Sequence, residues 1–239
     1  VRRSTTGGID LAAQPKNTGA CLIDWDERRV ELVRGPVGDT EIIDIVGRSN
    51  RTGIDSPLGW PDEFVRAITR HQRAQRWHGA SLPPDDDRRA LRLRLTDREA
   101  RRLRLNPLSV SAERIAVAAM RWGRIESELR ERGYRIDRSG CSGRVVEVYP
   151  AGSLRQWGID PRSETEVLVD VLLNRVVGEH LDVAQARHEL QDCNRHQLDA
   201  FIAAITARHV LKWDTIRPTP EQREVARREG WIHLPTPLP

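Results

Sequence analysis

Gly53-Ile54-Asp55-Ser56-Pro57-Leu58-Gly59-Trp60-Pro61 opens with a phrase that also stands near the start of the chain, as Gly8-Ile9-Asp10. In each, a short extended run ends on an acid and gives way to a turn. Asp is depleted inside strands, so its place there needs a reason. If the two runs are neighbours in one sheet, both carboxylates point into one crevice, and divalent cations would offset their charge.

Working outward, the chain alternates between strand and helix patterns. Residues 7–11 and 18–25 read as strands, and residues 29–37 as a third, joined to the second through the turn Asp26-Glu27-Arg28. Residues 39–46 form an amphipathic helix with Asp39 as its N-cap. Residues 47–51 turn the chain into the second Gly-Ile-Asp strand. The first 55 residues thus give three strands, a helix and a fourth strand, with the acids on the first and fourth. Residues 111–132 carry Ile115, Ala118, Ala119, Trp122, Ile125 and Leu129 at helical spacing, with Ser111 as cap and Gly133 as stop. Residues 143–149 read as a strand on which Glu147 shares a face with Val145 and Tyr149, while Val146 and Val148 take the other. Helices follow at 165–177 and 194–210, the second with an apolar stripe of Leu198, Phe201, Ile202 and Ile205. One α/β domain over residues 1–239 accounts for this order. Residues 61–108 are an inserted helical and loop segment. Residues 214–239 are a Pro-rich tail expected to wrap the surface, anchored by Trp231 and Ile232.

The bulk properties narrow the class. Mean hydropathy is −0.58 and 31% of residues are charged, with no apolar run long enough to span a membrane. Val1-Arg2-Arg3-Ser4-Thr5-Thr6 has no apolar segment behind its positive start, so no secretory signal is read there. Cys21, Cys141 and Cys193 are far apart and lack Cys-x-x-Cys spacing, which points to a reducing, cytoplasmic setting without a disulfide framework or zinc site. Lys16 and Lys212 are the only lysines. The inserted segment holds twelve Arg against seven Asp and Glu, which leaves the rest of the chain near neutral. Such a lobe beside an acidic site suits a polyanion, although a solvated helical face would look the same.

Four acids stand at pointed places: Asp10, Asp55, Glu147 and Asp199. Several carboxylates buried together need cations, and oxygen-only ligation selects hard ions such as Mg²⁺ or Mn²⁺. Asp192 reads as solvated or paired with Arg195. His71 and His78 are seven residues apart and offer at most a weak zinc pair. His196, three residues before Asp199, lies either at the rim of the acidic site or on the plain surface. Asp97 pairs with Arg94 or Arg98 or caps the next helix, and either arginine is a candidate phosphate contact.

Gly8-Ile9-Asp10-Leu11-Ala12, the long Gly53 phrase, Arg94-Leu95-Thr96-Asp97-Arg98, Ser109-Val110-Ser111-Ala112-Glu113-Arg114-Ile115, Val146-Glu147-Val148-Tyr149-Pro150-Ala151 and Leu198-Asp199-Ala200-Phe201-Ile202-Ala203-Ala204 occur in that order. As an ordered set they resemble domain-of-unknown-function family 429, described as predicted nucleases of the ribonuclease-H-like fold. The resemblance implies a five-stranded mixed sheet flanked by helices. It also implies a metal-dependent acidic site at Asp10, Asp55 and Asp199, with Glu147 as a fourth member. One departure stands out. Ser4-Thr5-Thr6-Gly7-Gly8 and Ser49-Asn50-Arg51-Thr52 precede the acids where central buried strands are rich in Val, Ile and Leu, so short or loose strands are expected.

The leading expectation is a nuclease or phosphodiesterase. Its carboxylate-bound Mg²⁺ or Mn²⁺ would activate water, Asp10, Asp55, Glu147 and Asp199 would form the catalytic set, and Arg94 and Arg98 would hold a nucleic acid or other phosphodiester. The alternative is a non-catalytic nucleic-acid or protein-binding module on the same fold. A phosphotransferase ranks last, because Leu11-Ala12-Ala13-Gln14-Pro15 supplies no glycine-rich phosphate loop after the first acid.

Overall fold

The computed structural model describes residues 4–238. The Val1-Arg2-Arg3 part of the N-terminal reading, and Pro239, lie outside them. Strands β1 (Thr5–Asp10), β2 (Gly19–Asp24) and β3 (Arg29–Leu32) form an antiparallel meander. Helix α1 (Asp39–Arg48) carries the chain back to β4 (Arg51–Asp55), which runs parallel to β1. Then come α2 (Asp62–Gln72), α3 (Pro84–Arg92), α4 (Leu95–Arg102) and α5 (Ile115–Glu131), before β5 (Val145–Val148) joins parallel to β4. Helices α6 (Pro150–Gln156), α7 (Thr165–Val171, continued by a π-helical turn at Leu172–Val177), α8 (Val183–Leu190) and α9 (Arg195–Leu211) follow. The described chain closes with β6 (Thr215–Ile216), α10 (Arg223–Glu229) and β7 (Ile232–Pro235). The result is an α/β structure whose mixed seven-stranded sheet, ordered β3-β2-β1-β4-β5-β7-β6, is flanked by ten helices among the described residues. None of these helices is long and apolar enough to cross a membrane.

The strand count corrects the expectation of five. Both extra strands come from the segment read as a surface tail. β7 pairs parallel with β5, and β6 pairs antiparallel with β7. Trp231, Ile232, His233 and Leu234 are buried, so this segment completes the sheet rather than wrapping it. Of the described prolines in this segment, only Pro235 falls within a strand, as the last residue of β7, so the prolines flank the strands rather than interrupt them.

The two faces of the sheet differ. On one, Ile9, Ile54 and Val145 pack with Ile42, Ile45 and Val46 of α1 and with Trp122, Ile125 and Leu129 of α5. On the other, α9 lies along β1, β2 and β4, and α6, α7 and α8 gather around its Leu198, Phe201, Ile202 and Ile205. Here α9 approaches so closely that a Cβ on Gly8 would sit 1.9 Å from the Ala200 carbonyl oxygen, and one on Gly53 2.4 Å from that of Ala203. Residues 5–8 and 52–54 are nevertheless buried. The glycines in these strands therefore mark helix backbone resting on sheet backbone, and the strands are neither short nor loose.

Two expected caps shift as well. Gly38, not Asp39, precedes α1, and the Asp39 carboxylate accepts a bond from Arg121 Nε at 2.8 Å. Helix α5 begins at Ile115, while the Ser111 hydroxyl donates to the Leu91 carbonyl at 2.7 Å and ties the end of α3 to the approach to α5.

Candidate metal and phosphate site

Parallel pairing sets Gly8 opposite Gly53, Ile9 opposite Ile54 and Asp10 opposite Asp55. Laterally paired residues point to the same side of a sheet, and adjacent strands are about 4.8 Å apart, so the two carboxylates emerge side by side at the carboxyl ends of central strands. Alternation from Gly8 and Gly53 puts both on the α9 face. Asp199, in the first half of α9, lies near enough that its charge raises the pKa of both acids.

The electrostatics record the crowding. Burial is the main force pushing Asp10 up to about 6; the His196 hydrogen bond opposes it and Asp199 adds to it. Asp55 is driven well above the usual carboxylate range, first by burial and then by Asp10, Asp199 and Glu147. No hydrogen bond or ion pair reaches the Asp55 carboxylate among the described residues. Asp199 is also raised by burial, against its contact with Arg195, whose Nε lies 3.0 Å from Oδ2. Arg195 thus serves Asp199, while Asp192 is exposed ahead of the helix. Of the two alternatives for His196, the structure shows the rim: its side chain is 46% exposed, and its Nδ1 is hydrogen-bonded to Asp10 Oδ2 at 2.6 Å.

Glu147 has a different fate. It pairs laterally with Ile54, not with Asp55, so it leaves the sheet on the opposite face from the two aspartates. There it meets Arg94, which is 1% exposed. Arg94 Nη1 donates to Glu147 Oε2 (2.8 Å) and Nη2 to Oε1 (2.7 Å). Arg94 Nε and Nη2 donate to Asp97 (3.2 and 3.0 Å), and Nη1 also donates to the Glu229 carbonyl (3.0 Å). These contacts use all five guanidinium donors. Burial alone would lower the Arg94 pKa, but the Glu147 and Asp97 carboxylates outweigh it and hold the guanidinium above its usual range. Glu147 Oε2 further accepts from the Leu58 N–H at 3.0 Å, which ties down the turn after Asp55.

Two expectations are corrected by this geometry. Arg94 has no donor left for a phosphate and acts as an internal counter-ion. Glu147 is engaged through both oxygens and does not present them to an ion beside Asp10 and Asp55. Asp97 does both things expected of it: it pairs with Arg94, and it caps α4 by accepting from the Arg94 N–H at 3.0 Å. Arg98 remains exposed on α4, in contact with the Leu93 carbonyl at 3.4 Å. Apart from Arg94, every arginine of the 61–108 segment is exposed. His78 pairs with Glu63 at 2.5 Å and His71 packs edge-on against Trp77.

Among the described residues, no group of three or more His, Cys, Asp or Glu is gathered closely enough to hold a metal ion. The donor set present is therefore the Asp10–Asp55 pair with Asp199 behind it. Such a pair suits Mg²⁺, which is bound through one or two carboxylates while waters and substrate phosphate complete its shell. The carboxylates open into a cavity of about 280 Å³ that Ser56, Tyr149, Leu108 and Ile115 also line. Ser56 and Tyr149 stand inside the quoted acid motifs, next to Asp55 and two residues after Glu147, but were not given a functional role there.

A family model described as "Protein of unknown function (DUF429)" matches residues 8–225, and the chain belongs to that family. No curated protein and no solved structure gives a match.

Proposed function

We propose that the protein is a divalent-metal-dependent phosphodiesterase, a nuclease, on a ribonuclease-H-like scaffold. Asp10 and Asp55 would hold Mg²⁺ or Mn²⁺, and Asp199 would add negative charge behind them. The observation that carries this reading is the lateral pairing of the two carboxylates, one with no partner among the described residues and both raised by burial and crowding. Acids left this way inside a fold are costly unless something positive joins them. When bound, the ion supplies an activated water and stabilises charge on the phosphodiester oxygens. The chain does the rest. Its parallel register fixes the two carboxylates side by side. Burial excludes bulk water and strengthens their attraction for a cation. His196, in contact with Asp10 and open to solvent, is placed to pass a proton between the site and water. The exposed arginines of α2 to α4 would offer charge for a polyanion. The scaffold assignment draws support from the sequence of meander, helix and parallel strand, with β6 and β7 added to the expected five strands.

The test is hydrolysis of labelled RNA, DNA and bis(4-nitrophenyl) phosphate with Mg²⁺, Mn²⁺ or EDTA. Expected is metal-dependent cleavage that EDTA and Asp10→Asn both abolish while the fold persists. Cleavage that survives in Asp10→Asn would overturn the assignment. Nucleic-acid binding unaffected by chelator and without turnover would favour a non-catalytic binding module.

A further inference from the structure

We propose that the cavity beside the carboxylate pair receives one unpaired nucleotide, its phosphate toward Asp10 and Asp55 and its base against the apolar wall, so that the substrate is single-stranded or frayed nucleic acid rather than duplex. The phosphate's position rests on the phosphodiesterase reading; the occupant of the rest of the cavity goes beyond it.

Three observations lead here. First, the cavity is two-sided. Asp10, Asp55, Ser56 and the mutually bonded Arg94 and Glu147 supply the polar lining, while Leu11, Pro57, Leu108, Ile115 and Tyr149 give it an apolar wall. A site built only to hold a backbone phosphate needs no such wall, whereas a flat apolar base beside its phosphate matches both parts. Second, at about 280 Å³ the cavity suits a single nucleotide. In a duplex the bases are stacked and paired inside, so a recess of this size beside the phosphate site can be filled only by a base that has left the stack. Tyr149, half-buried at the wall, adds an aromatic ring beside such a base. Third, Ser56 is 5% exposed and its hydroxyl has no hydrogen-bond partner among the described residues. A buried hydroxyl in that condition calls for one. It sits next to Asp55 at the polar end, where a phosphate or sugar oxygen would supply the bond.

The experiment is calorimetric titration of the full chain with AMP, UMP, ribose 5-phosphate and inorganic phosphate in Mn²⁺. The expected result is binding of both nucleotides at least about tenfold tighter than ribose 5-phosphate, with Ser56→Ala weakening the nucleotides roughly fivefold. Ala118→Trp, which fills the cavity from α5, should bring AMP down to the level of ribose 5-phosphate. Leu108→Ser, at an exposed position on the same wall, should do so partly if the Trp variant does not fold. Equal affinity for AMP and ribose 5-phosphate in the wild type overturns the proposal, and an unchanged affinity in Ser56→Ala overturns that residue's part in it. Cleavage assays separate the two readings. Nucleotide binding without any phosphodiester hydrolysis refutes the hydrolase and leaves the pocket assignment standing. Metal-dependent hydrolysis as fast on blunt duplex as on single strands refutes the pocket assignment and leaves the hydrolase.

Discussion

Asp55 and Glu147 sit on adjacent parallel strands, one residue apart in register, and their electrostatic circumstances are opposite. Asp55 leaves the sheet toward α9, lies near Asp10 and Asp199, and has no cationic partner among the described residues. Glu147 leaves it on the other side, meets Arg94, and is held through both oxygens. One step along a strand reverses the face, and the face decides whether a buried acid is compensated from within or must be compensated from outside. The same contrast separates a site from the cluster that supports it. The Arg94 cluster ties α4, β5, the turn at Leu58 and the end of α10 together, directly beneath the carboxylate pair.

The contrast can be broken or sharpened by substitution. The largest expected effect is on turnover: Asp55→Asn should lower metal-dependent hydrolysis by roughly 10³-fold or more, about 4 kcal/mol of barrier, with circular dichroism unchanged. Nearly as large, and on stability instead, Arg94→Met should destabilise the protein by roughly 3–5 kcal/mol, read as a lowered urea midpoint, because Asp97 and Glu147 would remain buried without a counter-ion. A stabilised Arg94→Met protein would mean that the cluster is not the structural half of the pair.

A third effect is smaller and depends on pH. Asp10 is raised from 3.8 to about 6 in the folded protein, mainly by burial. The folded state therefore holds this proton more tightly than the unfolded chain. The stabilisation is full below pH 3.8 and is lost as pH rises through about 6. In EDTA at pH 7.5, Asp10→Asn should thus be more stable than wild type by about 3 kcal/mol, or roughly 6–12 °C in melting temperature. The gap should close toward pH 4, and Mn²⁺ should narrow it at pH 7.5 by stabilising only the wild type. As the smallest effect, breaking the exposed Arg102–Glu99 pair with Arg102→Ala should change stability by no more than about 0.5 kcal/mol. A larger loss there would mean that charge pairing stabilises the Arg-rich segment more than its exposure suggests.

Much of the site could be read from the chain because Gly-Ile-Asp occurs twice and the two copies align residue for residue. The face assignment of Glu147 was also legible, since alternation set it with Val145 and against Val146. What alternation within one strand could not give is the register between strands, and that register separates Glu147 from Asp55. Arg94 was legible as a partner of Asp97, but its burial was not foreseeable, because a sequence does not show that Glu229, 135 positions away, closes over it. The polar, glycine-rich lead-ins to the acids looked unlike central strands because the partner on that face is helix backbone, which leaves no room for side chains. β7 was missed for two reasons. Its apolar run is brief, and its partners are β5, more than eighty residues upstream, and β6, separated from it by α10, so no local hairpin signal marks it.

That last strand has a consequence for how the protein is made. As a nascent chain leaves the ribosome, β5 is available long before residues 232–235, and until they arrive it presents an open parallel edge next to a half-assembled Arg94 cluster. Such an edge invites pairing with other chains. Synthesis stalled short of this strand should therefore yield aggregates rather than a soluble fragment, with maturation of the acidic crevice waiting on residues 232–235.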